Sequence, residues 1–230
     1  MCHLETTLGD TGEAVHVGPG GYVRAPPDLP RKGDGVVAPT AVRRIGTIED
    51  DLPVPAGRVI VRQGEPCSGV SVVTHGALLE SAVDDDGRVL GLDVLGPGDP
   101  VGGPHGSPAP ADVRALSAVR LRPVEPDRAG CLVDARRQRL ADLAHQLAWL
   151  DVIDRVSLRL EDLARRFGRP APGGTLVRLA LTQEDLAALC GTSRESANRA
   201  LRALRDDGRV LVVGRGRFLI PALHPVPGAP

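Results

Sequence analysis

The chain has 230 residues, 42% hydrophobic and 25% charged, with a formal net charge of −1; that is enough for one large domain or two small ones, each with its own core. No run approaches the roughly 20 apolar residues that span a bilayer, and MCHLETTLGDTGEAV has neither the basic nor the apolar region of a secretory leader, so a cytoplasmic chain without a membrane partner is expected. Charge is uneven: 11 basic and 16 acidic side chains fall in residues 1–124, 9 and 8 in 125–174, and 8 and 5 in 175–230, a basic end of the kind a terminal nucleic-acid module carries.

Residues 1–40 are rich in Gly and Pro without sustained periodicity, which predicts an extended, poorly ordered arm. Residues 41–125 alternate short apolar runs with turn signals, and Asp86-Gly87 sits between two such runs, a hairpin signature. Many short strands separated by Gly and Pro predict a β-roll, barrel or sandwich. From Pro126 the pattern becomes helical. Leu140, Leu143, Leu147 and Leu150 recur at spacings of 3, 4 and 3, with Val133 one heptad upstream. This a/d seam predicts a helix over 126–152 that packs on a partner helix in a homodimer, with packing on the chain's own sheet as the alternative. A second helix is expected over 151–167, stopped by Gly168 and Pro170.

Residues 181–220 carry the most information. Thr182 with Asp185 three positions on reads as a capping box opening a short helix. Gly191 supplies a tight turn, and Thr192 or Ser193 caps the next helix. There Ala197, Ala200, Leu201 and Leu204 lie at i, i+3, i+4 and i+7 and form a buried face. Arg194, Glu195, Asn198, Arg199 and Arg202 are left on the opposite face, and these side chains match base edges in a major groove. Asp206-Asp207-Gly208 ends the helix, and RVLVV–GRG–RFLI follows as a hairpin wing, where Arg215 and Arg217 suit phosphate contacts. The order helix, Gly turn, helix, Asp-Gly, hairpin predicts a winged helix-turn-helix over 153–230 that binds double-stranded DNA. A solvated amphipathic hairpin is the bland alternative.

TSRESANRALRALRDDGRV resembles the recognition helix of the Crp–Fnr family of bacterial transcription regulators, whose Ser-Arg-Glu followed by Arg falls on Ser193, Arg194, Glu195 and Arg199. Residues 148–168 resemble the end of that family's long dimer helix and the helix after it. Gly64-Glu65, Gly76, Gly87 and the GPGD of 96–99 resemble its cyclic-nucleotide-type roll. The resemblance implies an α+β architecture: an N-terminal double-stranded β-roll, a long dimerisation helix and a C-terminal winged helix-turn-helix. It implies guanine contacts for Arg194 and Arg199, a cytosine contact for Glu195, and phosphate contacts for Gln183 and Ser193. It also implies a TGTGA-like half-site in an inverted repeat, and RNA polymerase as a partner.

The sensor half departs from the family's nucleotide pocket. Gly103 stands where the resemblance expects the ribose-binding Glu, residues 103–111 (GPHGSPAPA) hold no Arg, and Arg114 falls late for the phosphate. Leu140 and Ala141 replace the polar residues that meet the adenine. These departures argue against cyclic AMP and leave the effector unknown: either another ligand controls the protein, or the dimer is constitutively competent to bind DNA. Haem or an iron–sulfur cluster stays open, with Cys2, His3, His16, Cys67, His75, His105, Cys131 and His145 as candidate ligands, His105 first to test. No CxxC pairs the four cysteines, which speaks against a zinc knuckle, and Cys190 reads as a small core residue. A signalling adaptor whose roll binds a small molecule without reading promoters is the alternative function. An enzyme is not expected, since no nucleophile elbow, phosphate loop, HExxH or His-x-His pair occurs.

Overall fold

Among the described residues, eight of the fourteen glycines with positive φ fall between residues 57 and 106, where they set the turns between the short strands of the N-terminal half. The computed structural model describes residues 54–214 and 216–221; the side chains of residues 126–135 lie outside that description. The arm expected over 1–40 and Arg215 also lie outside it.

Seven strands come first: β1 (Val59–Val61), β2 (Val70–His75), β3 (Leu78–Val83), β4 (Val89–Leu95), β5 (Pro100–Gly102), β6 (Asp112–Ala115) and β7 (Arg120–Pro123). They form two antiparallel sheets, β1-β6-β3-β4 and β5-β2-β7, a β-roll, as the family resemblance implies and one of the three arrangements that the turn spacing predicts. Val73, Leu78, Leu95, Val101, Val113, Ala115, Val119 and Leu121 fill the space between them. The hairpin expected at Asp86-Gly87 joins β3 to β4, with Gly87 at φ +79 and its N–H donated to the Asp84 carbonyl at 3.0 Å. Only a residue without Cβ takes that conformation cheaply.

Helix α1 follows over Pro126–Trp149, then α2 over Val152–Phe167. Pro126 at the first turn is compatible with a helix start, because its missing N–H would be unpaired there anyway. Asp151 breaks the two helices apart by capping α2: its Oδ1 accepts from the Asp154 amide at 2.9 Å. Gly168 ends α2, and Arg165 and Arg166 occupy its last turn, where positive charge suits the helix dipole. A hairpin that the sequence pattern did not suggest, β8 (Arg169–Ala171) and β9 (Gly174–Arg178), precedes the short helix α3 (Gln183–Leu189) and α4 (Arg194–Asp206). The wing is β10 (Leu211–Gly214) and β11 (Arg217–Pro221), and the four strands pair in the order β10-β11-β9-β8. No helix among the described residues is long and apolar enough to cross a membrane.

Two packing features bear on the expected organisation. The leucine seam of α1 turns largely toward its own chain. Leu143 is buried within the single chain, Leu140, Leu147 and Leu150 are half-buried, and a Cβ on Gly191 would lie 2.3 Å from Leu147 Cδ2. Periodicity identifies the apolar face but not what covers it. The two halves also share a core: Ala77, Leu79, Val94 and Leu116 of the roll pack in one cluster with Leu160, Leu163, Leu186, Leu189 and Leu204 of the C-terminal half.

Candidate nucleic-acid interface

The geometry of the helix pair follows from its caps. Thr182 Oγ1 accepts from the Asp185 amide at 3.0 Å, and Asp185 Oδ2 accepts from the Thr182 amide at 2.9 Å. This reciprocal box starts α3 where the sequence placed it. Gly191, at φ +55, makes the turn, and Ser193 rather than Thr192 caps α4, its Oγ accepting from the Ser196 amide at 3.2 Å. Ala197, Ala200, Leu201 and Leu204 are buried as their spacing requires. Arg194, Glu195, Arg199 and Arg202 are exposed on the other side, with Asn198 half-buried between the two faces.

Three of the sequence-selected side chains are joined by hydrogen bonds. Gln183 Oε1 accepts from Arg194 Nε at 3.4 Å and from Asn198 Nδ2 at 3.1 Å. Gln183 thus touches the reading face of α4 in the free protein, a contact that a phosphate role alone does not anticipate. Arg194 Nη1 also lies 2.9 Å from Glu184 Oε1. Glu184 carries no signal in the sequence, because it meets Arg194 across the turn at a separation with no periodic signature. Arg199 Nη2 donates to Ser196 Oγ at 3.0 Å, and Glu195 stands exposed in the first turn. Arg217, exposed at the start of β11, occupies a separate element, the wing. Both arginine contacts on α4 are solvent-exposed, so little energy holds the side chains back from a ligand.

On the sensor side, loop 103–111 is tied by its own backbone to the segment between β1 and β2. The Gly106 amide donates to the Cys67 carbonyl at 2.8 Å, the Ser107 amide to the Pro104 carbonyl at 3.0 Å and the Ala109 amide to the Glu65 carbonyl at 2.8 Å. These N–H groups are spent on backbone carbonyls of the loop and of the β1–β2 segment, and residues 103–111 hold no Arg or Lys. Arg114 does not turn back toward it: Arg114 Nη2 donates to Asp185 Oδ1 at 2.6 Å, binding β6 to the start of α3. His105 is exposed with Nδ1 3.3 Å from the Ser68 carbonyl. Among the described residues no group of three or more His, Cys, Asp or Glu side chains is arranged to hold a metal ion; Cys2, His3, His16 and the Cys131 side chain lie outside them.

Burial pushes the Cys190 thiol up to about 11, against the pull of Arg159 and Arg155. The thiolate is the reactive form, so Cys190 should resist iodoacetamide in the native protein at neutral pH and react after denaturation. Labelling of native Cys190 at the rate of a free thiol, read by peptide mass spectrometry, would contradict this packing.

Residues 52–128 match the cyclic nucleotide-binding domain and residues 138–224 the Crp-like helix-turn-helix domain. A CRP-like cAMP-activated global transcriptional regulator of Mycobacterium tuberculosis is 31% identical over 196 residues, covering 78% of this chain and 88% of the relative. The CRP-like protein Clp of Xanthomonas euvesicatoria pv. vesicatoria is 31% identical over 227 residues, covering 82% and 96%. The solved structure of the c-di-GMP responsive global regulator CLP of Xanthomonas campestris shares the fold with a TM-score of 0.61 at 26% identity, covering 74% of this chain and 93% of that one. A CRP-family regulator of Thermus thermophilus, at 19% identity and a TM-score of 0.65 over 75% and 92% of the two chains, shows the fold alone. With its β-roll, its capped helix pair and its wing, and with relatives that are transcriptional regulators rather than enzymes, this chain is a DNA-binding member of the Crp–Fnr family of transcription regulators.

Proposed function

We propose that the chain works as a homodimer that reads an inverted-repeat operator through α4, without cyclic AMP as its effector. The observation that carries this reading is the exposed face of α4: Arg194, Glu195, Arg199 and Arg202 project together from a helix whose opposite face is buried. Arg and Glu in the first turn of such a helix suit guanine and cytosine edges. Ser193 and Gln183 flank them at the helix starts, where phosphates are held, and Arg217 offers a phosphate contact from the wing. Residues 54–125 serve as the sensor roll, α1 as the dimer helix and the segment from Val152 onward as the reader. RNA polymerase is the expected protein partner and the cytoplasm the expected place of action.

Dimerisation uses a different face of α1 from the leucine seam. Ala141, Ala144 and Ala148 are exposed at i, i+3 and i+7, and beside them Trp149 is 78% and Ile153 40% exposed. An exposed apolar strip with a tryptophan at its end favours burial by a second copy. The mismatch between loop 103–111 and a cyclic phosphate supports the exclusion of cyclic AMP; titration calorimetry showing micromolar cyclic AMP binding would refute it.

Selection of bound sequences from a random pool tests the reading. A bidentate Arg–guanine contact discriminates by about 1–3 kcal/mol against a wrong base. Arg194→Ala and Arg199→Ala should each weaken the preferred site and relax selection at one base pair. Arg217→Ala should weaken all sequences alike and flatten the salt dependence. The selected motif should contain half-sites about 10–10.5 base pairs apart, one helical turn. Identical motifs from the wild type and both α4 variants would remove α4 from the reading role.

A further inference from the structure

We propose that Asp93 and Asp99 form a two-sided clamp that fixes both α1 and α2 to the roll, so that the chain itself, not an added ligand, sets the orientation of the DNA-binding module. Each carboxylate gives one oxygen to each helix. Asp93 Oδ2 accepts from Arg139 Nε on α1 at 2.6 Å, and its Oδ1 accepts from Arg166 Nη1 on α2 at 2.9 Å. Asp99 Oδ1 accepts from Arg139 Nη2 at 2.7 Å, and its Oδ2 accepts from Arg166 Nη2 at 2.8 Å. Each carboxylate accepts a third bond: the Val94 amide donates to Asp93 Oδ1 and the Gly96 amide to Asp99 Oδ2, both at 2.8 Å. Arg166 Nη2 donates in addition to the Val94 carbonyl at 2.6 Å. Burial works against the Arg166 charge, but Asp93, Asp99 and Asp162 raise its proton affinity above the ordinary guanidinium value.

The position of the clamp gives it this role. β4 is an edge strand of its sheet, and an edge must be covered or it stays open to pairing. Here the C-terminal half covers it. A Cβ on Gly91 would lie 2.7 Å from the Leu189 amide nitrogen of α3, and one on Gly96 would lie 2.5 Å from the Phe167 ring of α2. Arg136 of α1 is bonded to the buried Glu80 of β3, directly opposite Asp93. Arg114 reaches Asp185 from β6, and the apolar core is shared across the same seam. Asp93 is only 1% exposed, and a buried charge that loses its partner is strongly penalised. Sliding or rotating α2 off β4 would strand Asp93 and Asp99 together. No soft path therefore leads away from the docked state, while the reading face of α4 stays open to solvent.

The test uses the full-length protein, stripped of small molecules by unfolding and refolding. Asp93 sits too deep for a safe substitution, so Arg166→Gln and Asp99→Asn are made, each checked for folding by the amide protection of residues 197–204 in α4. Hydrogen exchange read by mass spectrometry should then accelerate at least tenfold at residues 94–96 in each variant, with α4 unchanged. This arm is independent of DNA. A second arm, which rests on the proposed DNA reading, measures binding to the selected inverted repeat and to a single half-site. The variants should lose at least tenfold on the repeat and little on the half-site, and the unmodified chain should bind equally with and without cyclic AMP or cyclic di-GMP. Unchanged exchange at 94–96, tighter repeat binding in the variants, or binding that requires either nucleotide would each overturn the clamp. If the unmodified chain bound no DNA while exchange accelerated as expected, the clamp would stand and the DNA reading would fall.

Discussion

A chain carrying Ala144→Glu and Ala148→Glu is expected to sediment as a monomer and to lose the inverted repeat by at least about 100-fold, the scale on which linked binding sites reinforce one another. Both alanines are exposed on α1 and touch no buried core, so neither substitution should unfold the protomer. Two carboxylates placed on a dimer seam meet their symmetry mates in low dielectric, and like charges there oppose association. Leu143→Glu, by contrast, should destabilise the single chain, because Leu143 is only 5% exposed within it. Sedimentation velocity separates the two results. If the chain carrying Ala144→Glu and Ala148→Glu stays dimeric, the partner sits elsewhere, with Trp149 and Ile153 as the next face to charge.

Leu204→Ala should cost about 2–5 kcal/mol of stability, the range for removing a large apolar side chain from a closed core. Leu204 is 1% exposed and belongs to the cluster that α2, α3, α4 and the back of the roll all share. Its loss should therefore lower the midpoint of the whole chain in one transition, not release the reading module alone. Leu211→Ala serves as the control: Leu211 is 45% exposed on the wing strand, and its truncation should move the midpoint little. Two resolved transitions in the calorimeter for Leu204→Ala would show that the halves fold separately.

The parts of this fold that the sequence makes legible are those with a local cause. Asp86-Gly87 announces its hairpin because the turn needs positive φ within two residues. Thr182 with Asp185 announces α3, and the 3-4 spacing of Ala197, Ala200, Leu201 and Leu204 fixes which face of α4 is free. The clamp leaves no such trace. Asp93 and Arg166 are 73 positions apart and Arg139 is 46 from Asp93, and in a chain rich in arginine none of these side chains stands out. The α1 seam was legible as an apolar stripe, yet the same stripe fits a partner helix or the chain's own turn at Gly191. The β8–β9 hairpin was hidden because Pro170 and the Pro172-Gly173-Gly174 turn read as a helix stop and loop. Thr182 as a cap puts Gln183 at the start of α3, but its hold on Arg194 and Asn198 depends on how two helices cross.

The common core across the roll and the reader bears on how this protein can be recombined. A graft cut at Leu150-Asp151 follows the obvious seam in the sequence, yet it would carry Val156, Leu160, Leu163, Leu186 and Leu189 away from Ala77, Leu79, Val94 and Leu116. A chimera that swaps only the reader would need those four roll positions transplanted with it, along with the carboxylates at 93 and 99. Shuffling between relatives that differ at these sites should yield insoluble hybrids, and the readers and sensors of this lineage should be inherited as a pair.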